Sequence, residues 1–174
     1  RHGICLLTED RKSQGLVLGQ TVQENFGLPN LQQFTRSGLI DRTQESDAFA
    51  KYVKQIQIKI SGHEQPTRTL SGGNQQKVVL AKWLQRNADV IILDEPTRGI
   101  DVGAKYEIYQ LIHELADKGK AILLISSELP EVLGMTDRII VMNEGRVTGG
   151  ITDVASATQE DIMKLATRRE NLAA

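Results

Sequence analysis

Midway along the 174-residue chain an apolar run, Val90-Ile91-Ile92-Leu93, stops abruptly at Asp94-Glu95-Pro96-Thr97. A short run of branched apolar residues without polar alternation reads as a strand buried on both faces, as in parallel sheets. That constrains the fold, because parallel neighbours need crossover helices and open α/β sheets bind ligands beyond the carboxyl ends of their strands. Adjacent carboxylates at that end offer the hard oxygen ligands that a metal-bound phosphate needs. Upstream, Leu70-Ser71-Gly72-Gly73-Asn74-Gln75-Gln76-Lys77 reads as a serine and glycine turn opening a helix. Its free backbone N–H groups and positive helix end favour a terminal phosphate. The two elements together suggest a split phosphate-handling site. The sequence contains no G-x-x-x-x-G-K-S/T loop; the nearest approach, Gly15 to Gly19 with Gln20-Thr21, is one residue short and lacks a lysine.

The remaining pattern fits an α/β class. Ile4 to Leu7 reads as a short buried strand, Thr8 to Ser13 as a charged loop, and Gly27-Leu28-Pro29-Asn30 as a break. Thr43 to Ile58 is helical, with Phe49, Tyr52, Val53 and Ile56 on one face, which suits internal packing. A loop over 61–69 leads into a helix that the Ser71 hydroxyl caps, carrying Val78, Val79, Ala81, Trp83 and Leu84. Then come a strand over 89–93, a helix from Val102 to Asp117 with Ile108, Leu111, Ile112 and Leu115 inward, and a strand from Ala121 to Ile125. This is βαβ order, predicting a parallel sheet covered on both faces. Arg138 to Met142 and Arg146 to Thr148 form a hairpin through Asn143-Glu144-Gly145, and Thr158-x-x-Asp161 is a capping box opening a final helix.

Composition narrows the function classes. With 21 basic and 22 acidic side chains the net charge is −1, which supplies no basic field, so nucleic acid is not an expected partner. The single Cys5 lies in an apolar run and reads as a buried thiol, compatible with a reducing compartment. Apolar runs fall well short of the roughly 20 residues that span a bilayer, so a membrane connection is expected to go through a partner. His2, His63 and His113 lack metal-ligand spacing. A chain that opens at Arg1 and enters a strand at once is expected to be part of a longer one.

These motifs resemble the ABC-type ATPases over essentially the whole chain. Leu70 to Gln75 matches that family's signature, Val90 to Glu95 its Walker B strand with catalytic glutamate, and Gly99-Ile100-Asp101 its D-loop. The resemblance implies a P-loop NTPase-like nucleotide-binding domain that is partial, lacking the Walker A region. Its layout is a core strand over 1–8, a Q-loop region and helical subdomain with the signature over 9–85, and a core over 86–174 with Walker B, D-loop and switch region. ATP and Mg²⁺ are the implied cofactors. Asp94 would hold Mg²⁺, Glu95 would orient or deprotonate water, and Asp101 would lie at the interface between two ATPase halves. Ser71, Gly72, Gly73, Asn74 and Gln75 would complete the partner half's nucleotide site.

Asn74, the run Asp94 to Lys105, Ser126 to Glu131, and Glu9 to Lys12 with Gly15-Leu16 narrow the resemblance. They are similar to the second, C-terminal half of tandem ATP-binding proteins powering bacterial monosaccharide importers of the ribose, galactose and xylose type, here truncated at its amino end. Implied partners are a second ATPase half, transmembrane permease subunits contacted through the loop from Asp10 to Val22, and indirectly a periplasmic sugar-binding protein. The implied location is the cytoplasmic face of the inner membrane. Glu9 stands where the family has its Q-loop glutamine and Ser127 where it has its switch histidine, so both belong to the candidate site in altered form. Ser127 equally reads as a polar cap to the helix after it. Two other classes stay open: a non-catalytic remnant or regulatory dimerisation module, and a soluble ABC ATPase outside transport. On this reading the 174-residue chain alone neither binds ATP at micromolar concentration nor turns it over with Mg²⁺; equilibrium binding and steady-state hydrolysis assays check this.

Overall fold

Residues 3–168 are described by a computed structural model; His2 lies outside the described residues. From the amino end, β1 (Ile4–Leu7) leads through a single helical turn (Arg11–Gly15) to α1 (Val22–Gly27) and α2 (Leu31–Phe34). A two-residue hairpin, β2 (Thr35–Arg36) and β3 (Leu39–Ile40), precedes α3 (Arg42–Gln55) and α4 (Gly72–Leu84). Then follow β4 (Val90–Asp94), α5 (Val102–Asp117) and β5 (Ala121–Ile125). A second compact unit begins at Ser126 with α6 (Leu129–Met135), β6 (Ile139–Asn143), β7 (Arg146–Ile151) and α7 (Gln159–Ala166).

In the first unit β1, β4 and β5 form a parallel sheet in that order, with Leu7, Leu93 and Leu124 in register. The βαβ expectation is met: α5 bridges β4 and β5 with Ile108, Leu111, Ile112 and Leu115 buried. Asp101 starts that helix by accepting the Ala104 N–H at 2.9 Å, and Ser71 starts α4 from an extended backbone. The expectation of a sheet covered on both faces is corrected. Cys5, Leu7, Ile91 and Leu93 are buried on the face that α4 and α5 cover. On the other face Ile4 is 58% exposed, Leu6 44%, Leu123 52% and Ile125 45%. β1 is therefore a half-buried strand, because alternate side chains point to opposite faces whether or not both are apolar. Burial raises the Cys5 thiol pKa, opposed in part by the Lys120 charge, which keeps it protonated and unreactive at neutral pH.

The segment 22–70 packs about an aromatic cluster. Phe26, Phe34 and Phe49 are fully buried, with ring centroids 5.1 Å apart for Phe26–Phe49 and 5.6 Å for Phe26–Tyr52. The apolar face of α3 is thus internal packing. Asn25, also fully buried, accepts from the Val17 N–H at 2.7 Å and donates to Thr67 Oγ1 at 2.9 Å. It ties two loops to α1 with every bond made inside the chain. The reading of 8–13 as a featureless charged loop is also corrected: Asp10 caps the turn at 11–15, where the Gly15 N–H reaches the Asp10 carbonyl at 3.2 Å.

In the second unit β6 and β7 pair antiparallel through Glu144 (φ 49°) and Gly145 (φ 77°), the two left-handed positions that a tight hairpin turn demands. Ile139, Val141 and Ile162 form its small core, and the Thr158–Asp161 capping box is present in both directions. Within the described residues no helix is long and apolar enough to cross a membrane. The uncovered sheet face makes a prediction: the 174-residue chain binds a hydrophobic dye and self-associates. Ile4→Lys with Leu123→Lys should lower dye binding and sharpen sedimentation toward monomer without lowering the melting temperature; a parent chain that is monomeric and dye-silent would contradict it.

Candidate functional site

The Ser71 turn is exposed at its first residue and locked at its second and third. Ser71 Oγ accepts from the Asn74 N–H at 3.4 Å and the Asn74 side-chain amide at 3.0 Å, while Asn74 Oδ1 accepts the Lys59 N–H at 2.7 Å. A Cβ on Gly72 would lie 2.7 Å from Arg11 Nη2 and 3.2 Å from the Gly99 carbonyl oxygen. One on Gly73 would lie 2.7 Å from the Ala104 Cβ. Gly73 is therefore required by the Ala104 methyl, which lets the starts of α4 and α5 approach closely, whereas a Cβ on Gly72 would displace the Arg11 tip and crowd the Gly99 carbonyl. Gln75 is buried and its amide donates to the Thr67 carbonyl at 3.2 Å, leaving Oε1 buried without a hydrogen-bond partner. Gln75 thus acts on the turn from behind. Lys77, also buried, is paired with Glu107 at 2.6 Å and donates to the Gln57 carbonyl at 3.0 Å, anchoring α4 to α5.

At the carboxyl end of β4, Asp94 pairs in register with Ile125 and falls by strand alternation on the open sheet face. Glu95, directly after it, has φ 46°. Its N–H donates to the Ile125 carbonyl at 2.9 Å, and its own carbonyl accepts the Arg98 N–H at 3.1 Å. A left-handed glutamate costs about 1–3 kcal/mol; here the sheet bond on one side and the tight turn on the other hold it. The next residues lead through Gly99 (φ 66°) to Asp101, whose carboxylate caps α5 and lies 4.0 Å from the position of a Gly73 Cβ.

The structure thus brings together Glu9, Gly72, Gly73 and Asp101 around the loop 98–101. Glu9 is engaged in an ion pair with the Arg98 guanidinium. Ser127 belongs to the second unit, and its reading as a helix cap is corrected. Glu128 occupies the cap position of α6, and it is the Ser126 hydroxyl that accepts the Glu128 N–H at 3.0 Å and donates to Glu131. Arg11 and Arg98 were missed as site-forming residues. Their signal is only a charged run, with nothing local to say which carbonyl or carboxylate each would meet.

Among the described residues no cluster of three carboxylate, histidine or cysteine side chains could hold a metal by itself. One carboxylate from Asp94, with the remaining ligands from phosphate and water, is the donor set that suits Mg²⁺. The Asp94 carboxylate is thus of the right chemistry for a phosphate-bound Mg²⁺. A protein-family model described as ABC transporter matches residues 2–98. The chain belongs to the ABC transporter family. It is 53% identical over 167 residues to the ribose import ATP-binding protein RbsA of Bacillus subtilis, covering 96% of this chain and 34% of that protein. With ribose import ATP-binding protein RbsA 2 of Streptomyces coelicolor it shares 57% over 164 residues, covering 94% and 32%. The chain thus spans about a third of the length of the curated relatives it matches. Among solved structures, the dimeric ATP-binding cassette MJ0796 in a post-hydrolysis state bound to ADP and Pi superposes with a TM-score of 0.71 at 23% identity, over 86% of this chain and 62% of that one. That likeness establishes the ABC ATPase fold.

The glycine packing of this ABC chain predicts that Gly73→Ala destabilises by about 1–3 kcal/mol, the usual cost of overpacking. Ala104→Gly in the same molecule should recover most of that loss. Gly103→Ala, where a Cβ would meet only Asp101 Oδ1 at 3.5 Å, should stay within about 1 kcal/mol of the parent. Denaturant melts of the three variants check this.

Proposed function

We propose that this chain is part of the ATP-binding subunit of a bacterial monosaccharide importer and couples ATP hydrolysis to sugar uptake. The observation that carries the reading is the Ser71–Gly73 turn: exposed, capped, and braced against the Asp101 cap of α5 at fixed spacing. The names of the RbsA relatives support the sugar-import class. Next to the turn, α5 exposes Val102 (85%) and Tyr106 (63%) one helical turn apart, the apolar surface that a second ATPase half needs.

On this reading Ser71, Gly72 and Gly73 offer a hydroxyl and backbone N–H groups to the γ-phosphate held by the partner half. Asn74 and Gln75 hold that turn in shape, and Asp101 sits at the seam between halves. At this chain's own site Asp94 would hold Mg²⁺ and Glu95 would orient the attacking water, with Glu9 at the place of the family's Q-loop glutamine; Ser127, in the second unit, stands at the sequence place of its switch histidine. Bound Mg²⁺ supplies charge neutralisation at the phosphate oxygens. Permease subunits dock against the helical region, bringing the chain to the cytoplasmic face of the inner membrane, with a periplasmic sugar-binding protein as indirect partner and no role for nucleic acid.

The test uses a tandem ATP-binding protein carrying this half, reconstituted with its permease. Ser71→Arg removes the capping hydroxyl and sets bulk and charge against the partner's phosphate. It should lower sugar-stimulated ATP hydrolysis at least about 100-fold, the scale set by loss of one donor to developing charge. Glu95→Gln alters only this half's own water-positioning group, which the Glu9 and Ser127 substitutions already weaken, and should cost much less. Unchanged hydrolysis in Ser71→Arg would overturn the reading, and equal damage from Glu95→Gln would make this half's own site essential.

A further inference from the structure

The loop 9–15 makes contacts to which the reading above assigns no task. Arg11 Nη1 donates to the Arg98 carbonyl at 3.1 Å. Its Nη2 lies 2.7 Å from the point a Gly72 Cβ would occupy. Glu9 holds the same Arg98 through its guanidinium. The guanidinium thus hydrogen-bonds the loop that ends in the Asp101 cap through one nitrogen and packs beside the first residue of α4 with the other, a span that a planar fork covers and a single ammonium does not.

The loop carrying Arg11 is braced at both ends. Asp10 accepts the Lys12 and Ser13 N–H groups at 3.0 and 3.1 Å and the Ser13 hydroxyl at 2.7 Å. At the far end the buried Lys82 ammonium on α4 donates to the Gly15 carbonyl. The fold keeps Arg11 in place although its Nε is buried with no hydrogen-bond partner. The helix caps are made elsewhere: the Ser71 hydroxyl accepts the Asn74 N–H and the Asp101 carboxylate accepts the Ala104 N–H. Removing Arg11 would leave both helix starts formed and change only the spacing between them.

We propose that Arg11 is a positioning residue that sets the spacing of the Ser71–Gly73 turn against the 98–101 loop. This rests on the reading of that turn as the surface completing a partner's nucleotide site. Small misplacement of groups that act on a transition state costs turnover while leaving ground-state binding almost untouched.

The experiment measures sugar-stimulated ATP hydrolysis by the full-length tandem protein assembled with its permease, for Arg11→Ala, Arg11→Lys, Gly72→Ala and the double variant Arg11→Ala with Gly72→Ala. Arg11→Ala should lower kcat by about 10- to 100-fold with the KM for ATP within about twofold. Arg11→Lys should stay low because lysine lacks the fork, and it carries the test if Arg11→Ala does not assemble. Gly72→Ala should be harmful alone and less so when Arg11 is already alanine, since the guanidinium it would strike is gone; that non-additivity is specific to the contact. Parent-like kcat in Arg11→Ala, a loss confined to KM, or additive effects in the double variant would overturn the proposal. Ser71→Arg is run in parallel. If it abolishes hydrolysis while Arg11→Ala does not lower kcat, only the role of Arg11 fails; if Ser71→Arg leaves hydrolysis intact, the underlying reading of the turn fails and the proposal falls with it.

Discussion

Strand β4 pairs with β1 on one side as far as Leu93 and with β5 on the other as far as Asp94, so the sheet is fixed on both sides up to the point where the carboxylates begin. The Glu95 N–H continues the ladder to the Ile125 carbonyl at the point where its backbone turns left-handed. Without that bond to β5 the residue could relax to ordinary φ, moving the carboxylate and everything after it. Asp94 is kept one position earlier on the open face, so two adjacent carboxylates leave the sheet in different directions. The chain is redirected to Gly99 and Asp101, and the start of α5 inherits its position from the sheet.

A second constraint is the closeness of α4 and α5 at their amino ends. A methyl group on Gly73 would come 2.7 Å from the Ala104 methyl, so the two helix starts touch at a separation that only a glycine and a small residue permit. The pair of buried Lys77 with half-exposed Glu107 draws the same helices together further along. Ion pairing of a buried lysine contributes little net stability beyond offsetting its desolvation, but it restricts sliding. The result is a polar turn, exposed at Ser71, on a rigid support.

The region from α1 to the loop before Ser71 combines an aromatic core with buried polar ties. Glu45 is fully buried, bonded to Arg42 at 3.0 Å and Gln23 at 3.2 Å, and its side chain lies where a Gly27 Cβ would be. Asn30 links the Phe26 and Lys82 carbonyls at 2.9 and 2.8 Å. These bonds orient α1 and α3 on α4 more specifically than apolar contact alone would. The same region joins the loop 9–15 to the Ser71 turn through α4, whose Lys82 donates to the Gly15 carbonyl.

Local chemistry made much of this legible in the sequence. The bounds of α5 and β5, the hairpin at Glu144-Gly145 and the caps at Ser71 and Thr158 follow from periodicity and from side chains bonding within a few residues of themselves. The phosphate-site motifs were equally visible, since each is a short contiguous run. Tertiary structure alone decided what depends on distant partners. An apolar strand looks the same whether one or both faces are covered, so the exposure of Ile4, Leu6, Leu123 and Ile125 could not be read from their identities. The choice of Ser126 over Ser127 as the hydroxyl serving α6 depends on backbone direction after β5, to which two adjacent serines are blind. The clasp of Glu9 and Arg11 on Arg98, and the packing need for Gly72 and Gly73, join residues far apart in the chain. Charge and glycine content announce that such residues do something; only the folded neighbours determine what.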